Sequence, residues 1–184
     1  PGATETIGDE IDQDCDGKEL CYVDDDNDGF IVDTLVEVMS SDNLCNAFGE
    51  ASASQLQTVN DCDDTNSLVN PNAFELPGDE IDQNCDGQEI CYIDNDSDGY
   101  AEAGAGTITS FDTDCQGVGE APASLVVGLD DCDDNNATIN PGASEEIGDE
   151  VDQDCDGEEL CYLDNDNDGS INDSLSTITS SDEQ

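Results

Sequence analysis

Acidic residues at every second position, closed by a glycine, recur along this chain, and that spacing suits the binding of a hard cation. Asp24, Asp26 and Asp28 precede Gly29; Asp94, Asp96 and Asp98 precede Gly99; Asp164, Asp166 and Asp168 precede Gly169. A cation with six to eight oxygen ligands calls for alternate carboxylates, and the glycine permits the sharp turn that wraps them round one ion. The bidentate Glu that closes an EF-hand at loop position 12 is missing, because Leu35, Ala105 and Leu175 stand there. The remaining ligands must therefore come from elsewhere in the chain.

Twelve residues upstream the spacing returns as Asp12, Asp14, Asp16 and Gly17; Asp82, Asn84, Asp86 and Gly87; and Asp152, Asp154, Asp156 and Gly157. Glu19, Glu89 and Glu159 follow, each placed to lend a carboxylate to either ion. A third acidic loop, D-C-D-D, comprises Asp61, Asp63, Asp64 and Thr65, and again Asp131, Asp133, Asp134 and Asn135. Its expected long-range ligands are Glu75 and Glu145, with Glu5 serving a unit outside this stretch. The alternative is a solvated acidic face, but six alternating loops in one frame weigh against chance matches. Like charges about 4 Å apart repel by on the order of 1 kcal/mol even in water, so the chain is expected to swell without divalent ions.

The absent residues select the metal. With no His and one Met, Met39, zinc and copper lack their preferred ligands, and the cysteines are better used as disulfides. Carboxylates, amides and carbonyls in flexible loops favour calcium over magnesium, which demands a tight octahedron; manganese would accept the same donors. Without His there is no Ser-His-Asp or Cys-His set, and no phosphate loop is present. The paired acids lack the apolar pocket that raises a catalytic pKa, so no enzyme is expected.

The elements that must position these loops form a repeat. CYVDDDNDGF from Cys21, CYIDNDSDGY from Cys91 and CYLDNDNDGS from Cys161 stand 70 residues apart without slippage. Units of 1–70 and 71–140 are complete, and 141–184 breaks off inside a third. The chain starts at Pro1 without Met, so a window of a longer array, or a proteolytically matured subunit, is expected. Apolar residues recur at Ile11, Ile81 and Val151; Leu20, Ile90 and Leu160; Tyr22, Tyr92 and Tyr162; Val23, Ile93 and Leu163. They are expected to give each unit a miniature core. Loose alternation predicts strands in 30–40, 100–110 and 170–180, with shorter ones at 55–59 and 124–127, and no amphipathic helix of three turns is visible.

Composition narrows the class further. Fifty acidic residues face one base, Lys18, for a formal charge of −49, which excludes nucleic acid and anionic membrane as partners. No apolar run is long enough to span a bilayer. So acidic a chain would be disordered but for ten cysteines at ordered spacings, which imply disulfides and an oxidising compartment. One pairing joins Cys62 to Cys85, Cys132 to Cys155, Cys21 to Cys45 and Cys91 to Cys115, leaving Cys15 and Cys161 to partners beyond the window. The other joins neighbours: Cys15 to Cys21, Cys85 to Cys91, Cys155 to Cys161, Cys45 to Cys62 and Cys115 to Cys132. Loop closure favours the first, at about 3 kcal/mol per bridge, though both stay open at this point. Asn95, Asn136 and Asn172 begin N-x-S/T sequons, and Asn95 lies inside a metal loop.

The string D-C-D-D, then N-P-x-A-x-E and D-Q-x-C-D-G, resembles bacterial secreted tandem-repeat proteins of the MopE metal-binding type over Asp61–Gly87 and Asp131–Gly157, and in part over Pro1–Gly17. The D-x-D-x-D-G loop is similar to thrombospondin type 3 repeats, in which calcium and disulfides replace a core. The family's copper-based name does not transfer to a chain without His or Trp. The resemblance implies an extracellular or cell-surface setting and repetition in tandem. The expected fold is a set of small disulfide- and calcium-stabilised tandem repeats, loop-rich with short β-strands and little helix, in an elongated array. The expected function is structural: a stiff fibre, stalk or surface filament, its partners calcium ions and further units, through self-association or covalent continuation. A calcium-buffering or biomineral matrix module, and the spacer of a surface adhesin, are the alternatives. Counting loops predicts about three ions per unit.

Overall fold

The structure, a computed structural model, describes residues 2–32, 36–102, 104, 106–171 and 176–181. Leu35, Ala105, Leu175 and Asn172, named above, lie outside the described residues. By internal packing the chain forms two units, one of residues 1–76 with 81–88, the other of 77–80 with 89–184. Among the described residues there is no helix.

In the first unit the organising element is β1 (Leu20–Asp24), flanked by β3 (Glu37–Met39) and β4 (Gly49–Ala51). Both neighbours are antiparallel, with Cys21 opposite Val38 and Tyr22 opposite Glu37 on one side and Ala51 on the other. Between them β2 (Phe30–Ile31) runs parallel to β5 (Thr58–Val59). The second unit repeats the plan. β6 (Ile90–Ile93) lies between β8 (Thr107–Thr109) and β9 (Glu120–Ala121), while β7 (Tyr100–Glu102) pairs in parallel with β10 (Gly128–Asp131). It also holds the antiparallel pair β11 (Glu159–Tyr162) and β12 (Thr177–Ser180).

Strands this short cannot cover a conventional core, and disulfides take its place. Cys21–Cys45 and Cys91–Cys115 are completely buried, with Phe30, Ile31, Ala51 and Val69 in the first unit and Ala101 and Ala121 in the second. Cys62–Cys85 and Cys132–Cys155 complete the four bridges, the pairing favoured by loop closure; Cys15 and Cys161 are free thiols. A glycine seats each central strand. Gly8 donates to Leu20 O at 2.7 Å and accepts from Ala53 N at 2.9 Å, and Gly78 does the same with Ile90 and Ala123.

Two expectations are corrected. Ile11, Ile81 and Val151 do not belong to a core, because they lie exposed on the acidic loops, where no second layer exists to cover them. The strand expected at 124–127 is a turn, closed by Leu125 N on Pro122 O, and the strand starts only at Gly128. In the run 30–40 the described residues form β2 and β3, and 33–35 lie outside the described residues.

Candidate metal centres

The central strand delivers the first acid of the first centre, since β1 ends on Asp24. From there the loop is wound by its own carboxylates. Asp24 accepts from the amides of Asp28 and Gly29, Asp26 from Asp28, and Asp28 from Phe30, at 2.8–3.2 Å. Asn27 and Gly29 adopt left-handed φ values of 62° and 88°, which curl the chain so that alternate side chains converge. Into this ring come two acids from the D-C-D-D turn: Asp64 accepts from Asp25 N across 39 residues, and Asp61 is buried beside it. Single carboxylate oxygens of Asp24, Asp26 and Asp64 lie within 4.8 Å of one another, as do those of Asp26, Asp28 and Asp61.

The second unit builds the same centre. Asp134 accepts from both the backbone and side-chain amides of Asn95, at 2.9 and 2.7 Å, and its carboxylate clusters with Asp94 and Asp96. Asp98 is fixed by Tyr100 N and by the Asn140 amide, and Asp131 is buried against it. The sequon at Asn95 is therefore occupied in holding the loop. Asp164 and Asp168 close the same local turn by accepting from Gly169 N and Ser170 N, but their loop, Asp166 included, is largely exposed.

The upstream loops form a separate kind of centre. Asp12 accepts from Asp16 and Gly17, Asp14 from Asp16, and Asp16 from Lys18. Asp82, Asn84 and Asp86 repeat this pattern, as do Asp152, Asp154 and Asp156. The long-range acid here is the Glu after Pro-x-Ala. Glu5 accepts from Asp14 N at 2.9 Å, Glu75 from Asn84 N at 2.8 Å, and Glu145 from Gln153 N and Asp154 N. Glu5, Asp12 and Asp14 bring one oxygen each within 4.8 Å.

This arrangement overturns one expectation. Glu75 and Glu145 complete the D-x-D/N-x-D-G loop rather than D-C-D-D, and Glu5 serves its own unit rather than a distant one. The reason is a strut that spacing alone does not reveal. The carboxamide oxygens of Gln13, Gln83 and Gln153 accept from Thr6, Leu76 and Glu146, folding the Glu segment back onto the loop. D-C-D-D is thereby released to complete the downstream centre through Asp61 and Asp64, or Asp131 and Asp134. Asp63 and Asp133, expected among the ligands, are exposed, and Asp63 caps the Thr65 hydroxyl at 2.7 Å. Cys62 of D-C-D-D is bonded to Cys85 inside the upstream loop, so one bridge ties the two kinds of centre together.

Electrostatically these sites are built for positive charge. Burial pushes the Asp26 carboxyl up to about 6, with Asp28 beside it adding repulsion, and burial takes Asp64 to about 6 as well. Burial likewise raises Asp24, Asp61, Asp96, Asp131 and Glu75. Asp164, in the loop lacking these neighbours, is instead held low by the Gly169 amide. Among the described residues, every buried side-chain polar atom left without a hydrogen bond is a carboxylate oxygen, including those of Asp26, Asp28, Asp61 and Asp131. Orphaned carboxylate oxygens in converging sets fit a hard cation. A cluster that includes sulfur, Asp61 with Cys62 and Cys85, offers no thiolate because that pair is oxidised.

Residues 1–19, 61–89 and 131–159 match the family model Cu-binding_MopE, described as "Putative metal-binding motif". Three segments of the chain, the first of them shorter than the others, are similar to the MopE-type motif. Each complete motif contains D-C-D-D, the Glu segment and the upstream loop, so it spans one whole candidate centre and part of the one at Asp24–Asp28 or Asp94–Asp98, whose loops lie outside the match. Comparison with curated proteins and with solved structures gives no match.

Proposed function

We propose that the chain is an extracellular structural repeat whose folded shape is held by calcium, serving as a segment of a stiff fibre, stalk or surface filament. The observation that carries this reading is the centre at Asp24–Asp28. Five carboxylates converge there from positions up to 40 residues apart, several of their oxygens buried without a hydrogen bond, in a chain with a single basic side chain. Such a set is unstable unless an ion neutralises it. Calcium suits it best, because the donors are all oxygen and the loops are irregular; the copper in the motif's name would call for imidazole or thiolate.

The structural role follows from where the ions would sit. Each binds between a central strand's end and a distant turn, doing what apolar side chains do in larger domains, and in tandem arrays such stability passes between neighbours. In this reading the acids hold ions rather than catalyse. The four disulfides belong to an oxidising compartment, which supports a place outside the cell. Elemental analysis of the purified chain and electron microscopy with and without a chelator test the proposal. Several calcium ions per chain and filaments that soften or dissolve in chelator are expected; filaments indifferent to chelation would refute it, and calcium uptake without assembly would favour a buffering module.

A further inference from the structure

One buried acid belongs to neither kind of loop. Glu19, immediately before β1, is fully buried, and neither of its carboxylate oxygens has a hydrogen-bond partner. Its position is set by the sheet, since its amide donates to Asp42 O at 2.9 Å and its carbonyl accepts from Ser40 N at 2.8 Å.

Its surroundings are acidic as well. After burial itself, Asp9 and Glu5 are what most strongly oppose its charge; the amides of Leu20 and Gly8 lie near enough to favour it but outside hydrogen-bond geometry. Glu5 gives one oxygen to the Asp14 amide, and the other is also buried and without a partner. Asp9 is held in place by Ile11 N and by the Gln13 amide. Three orphaned oxygens, two on Glu19 and one on Glu5, therefore lie within electrostatic reach of one another and of the Asp9 carboxylate. Lys18 adjoins them in sequence but is exposed, and Gln88 and Glu158 take its place in the other copies, so no base is built into the arrangement.

The same trio recurs in the second unit. Glu159 lies against Glu145 and Asp149, with Gly148 N on its Oε1 at 3.0 Å and its Oε2 buried without a partner. Glu145 again divides its oxygens, one to the loop amides and the other to Leu160 N at 3.3 Å. One proton shared between Glu19 and Glu5 would satisfy only two of the three orphaned oxygens and leave the third without a partner.

We propose that Glu19 with Glu5 and Asp9, and Glu159 with Glu145 and Asp149, form a further divalent-cation centre. It is separate from the Asp12–Asp16 and Asp152–Asp156 loops and shares Glu5 or Glu145 with them as a bridging carboxylate. The centre clamps the acidic loop to the root of the strand that carries the next one, and it rests on the calcium reading above.

The test is calcium stoichiometry of the full chain by equilibrium dialysis, compared with the double variant Glu19→Gln, Glu159→Gln. The variant is expected to lose about two ions per chain while the loop centres still fill. Thermal midpoints add a readout that a merely structural carboxylate would not give. Without calcium the variant is expected to melt higher than wild type, because a buried charge is gone; with calcium it is expected to melt lower, because a ligand is gone. Undiminished uptake, or a shift of the same sign in both conditions, would overturn this centre alone. A wild-type chain that takes up no calcium would overturn the calcium reading too. If the Gln variant fails to fold in calcium, Asp9→Asn with Asp149→Asn replaces it, with the same ion loss expected and the same undiminished uptake refuting it.

Discussion

Asp26 and Asp64 sit at about 6 in the folded chain, well above an ordinary aspartate, because burial and neighbouring acids oppose their charge. The folded, calcium-free chain thus binds more protons than the unfolded one between roughly pH 4 and 6. Its stability is expected to rise as pH falls through that window and to be lowest above it, and the charge of −49 acts in the same direction. Protons compete with calcium for the same oxygens, so calcium affinity is expected to fall over the same range. Urea unfolding in chelator at pH 5 and pH 7 decides the first point; a lower midpoint at pH 5 would contradict it. Asp134 is the clearest single ligand to remove, since it alone joins the Asn95 amides to Asp94 and Asp96. Asp134→Asn is expected to weaken one calcium site roughly tenfold, read by calorimetric titration, since affinity in such loops follows the count of charged ligands.

At the scale of elements, each central strand is both the middle of a sheet and the mount for a metal loop, so whatever seats it should control calcium binding. A Cβ on Gly8 would stand 2.7 Å from Ala53 N and 3.0 Å from the Tyr22 ring, at a φ of +67°. Gly8→Ala is expected to cost roughly 2 kcal/mol or more. Gly17, at φ +89° with nothing within 4 Å, is the control, and Gly17→Ala should cost only about 1 kcal/mol in the same denaturation assay. The Cys62–Cys85 bridge closes a separation of 23 residues and ties D-C-D-D to the upstream loop. Replacing both cysteines with Ser is expected to cost about 3 kcal/mol. It should also weaken calcium at both kinds of centre in that unit; a stability loss with unchanged binding would show that the bridge does not position the ligands.

At the scale of the whole chain, a protein that buries few large apolar side chains should depend on ions and bridges together. Chelation with the disulfides intact is expected to loosen each unit, raising amide exchange in β1 and β6 and leaving Cys21–Cys45 and Cys91–Cys115 as residual anchors. Protection unchanged in chelator would argue that the disulfides suffice. Much of this was legible in residue types and spacing. The three loop families, the favoured cysteine pairing and the paucity of helix all follow from local pattern, because carboxylate alternation, glycine turns and loop-closure entropy are properties of short segments. What the tertiary structure decided is which acid answers which loop. Asp64 reaches Asp25 across 39 residues, Glu5 turns back on its own loop through Gln13, Ile11 stays outside, and Glu19 is fully buried. Strands β1 and β6 escaped notice because five and four residues ending beside acidic loops give too brief an alternation to register. Ligand geometry is a property of convergence in space, and in a chain this acidic every loop offers a plausible carboxylate, so only the fold selects among them.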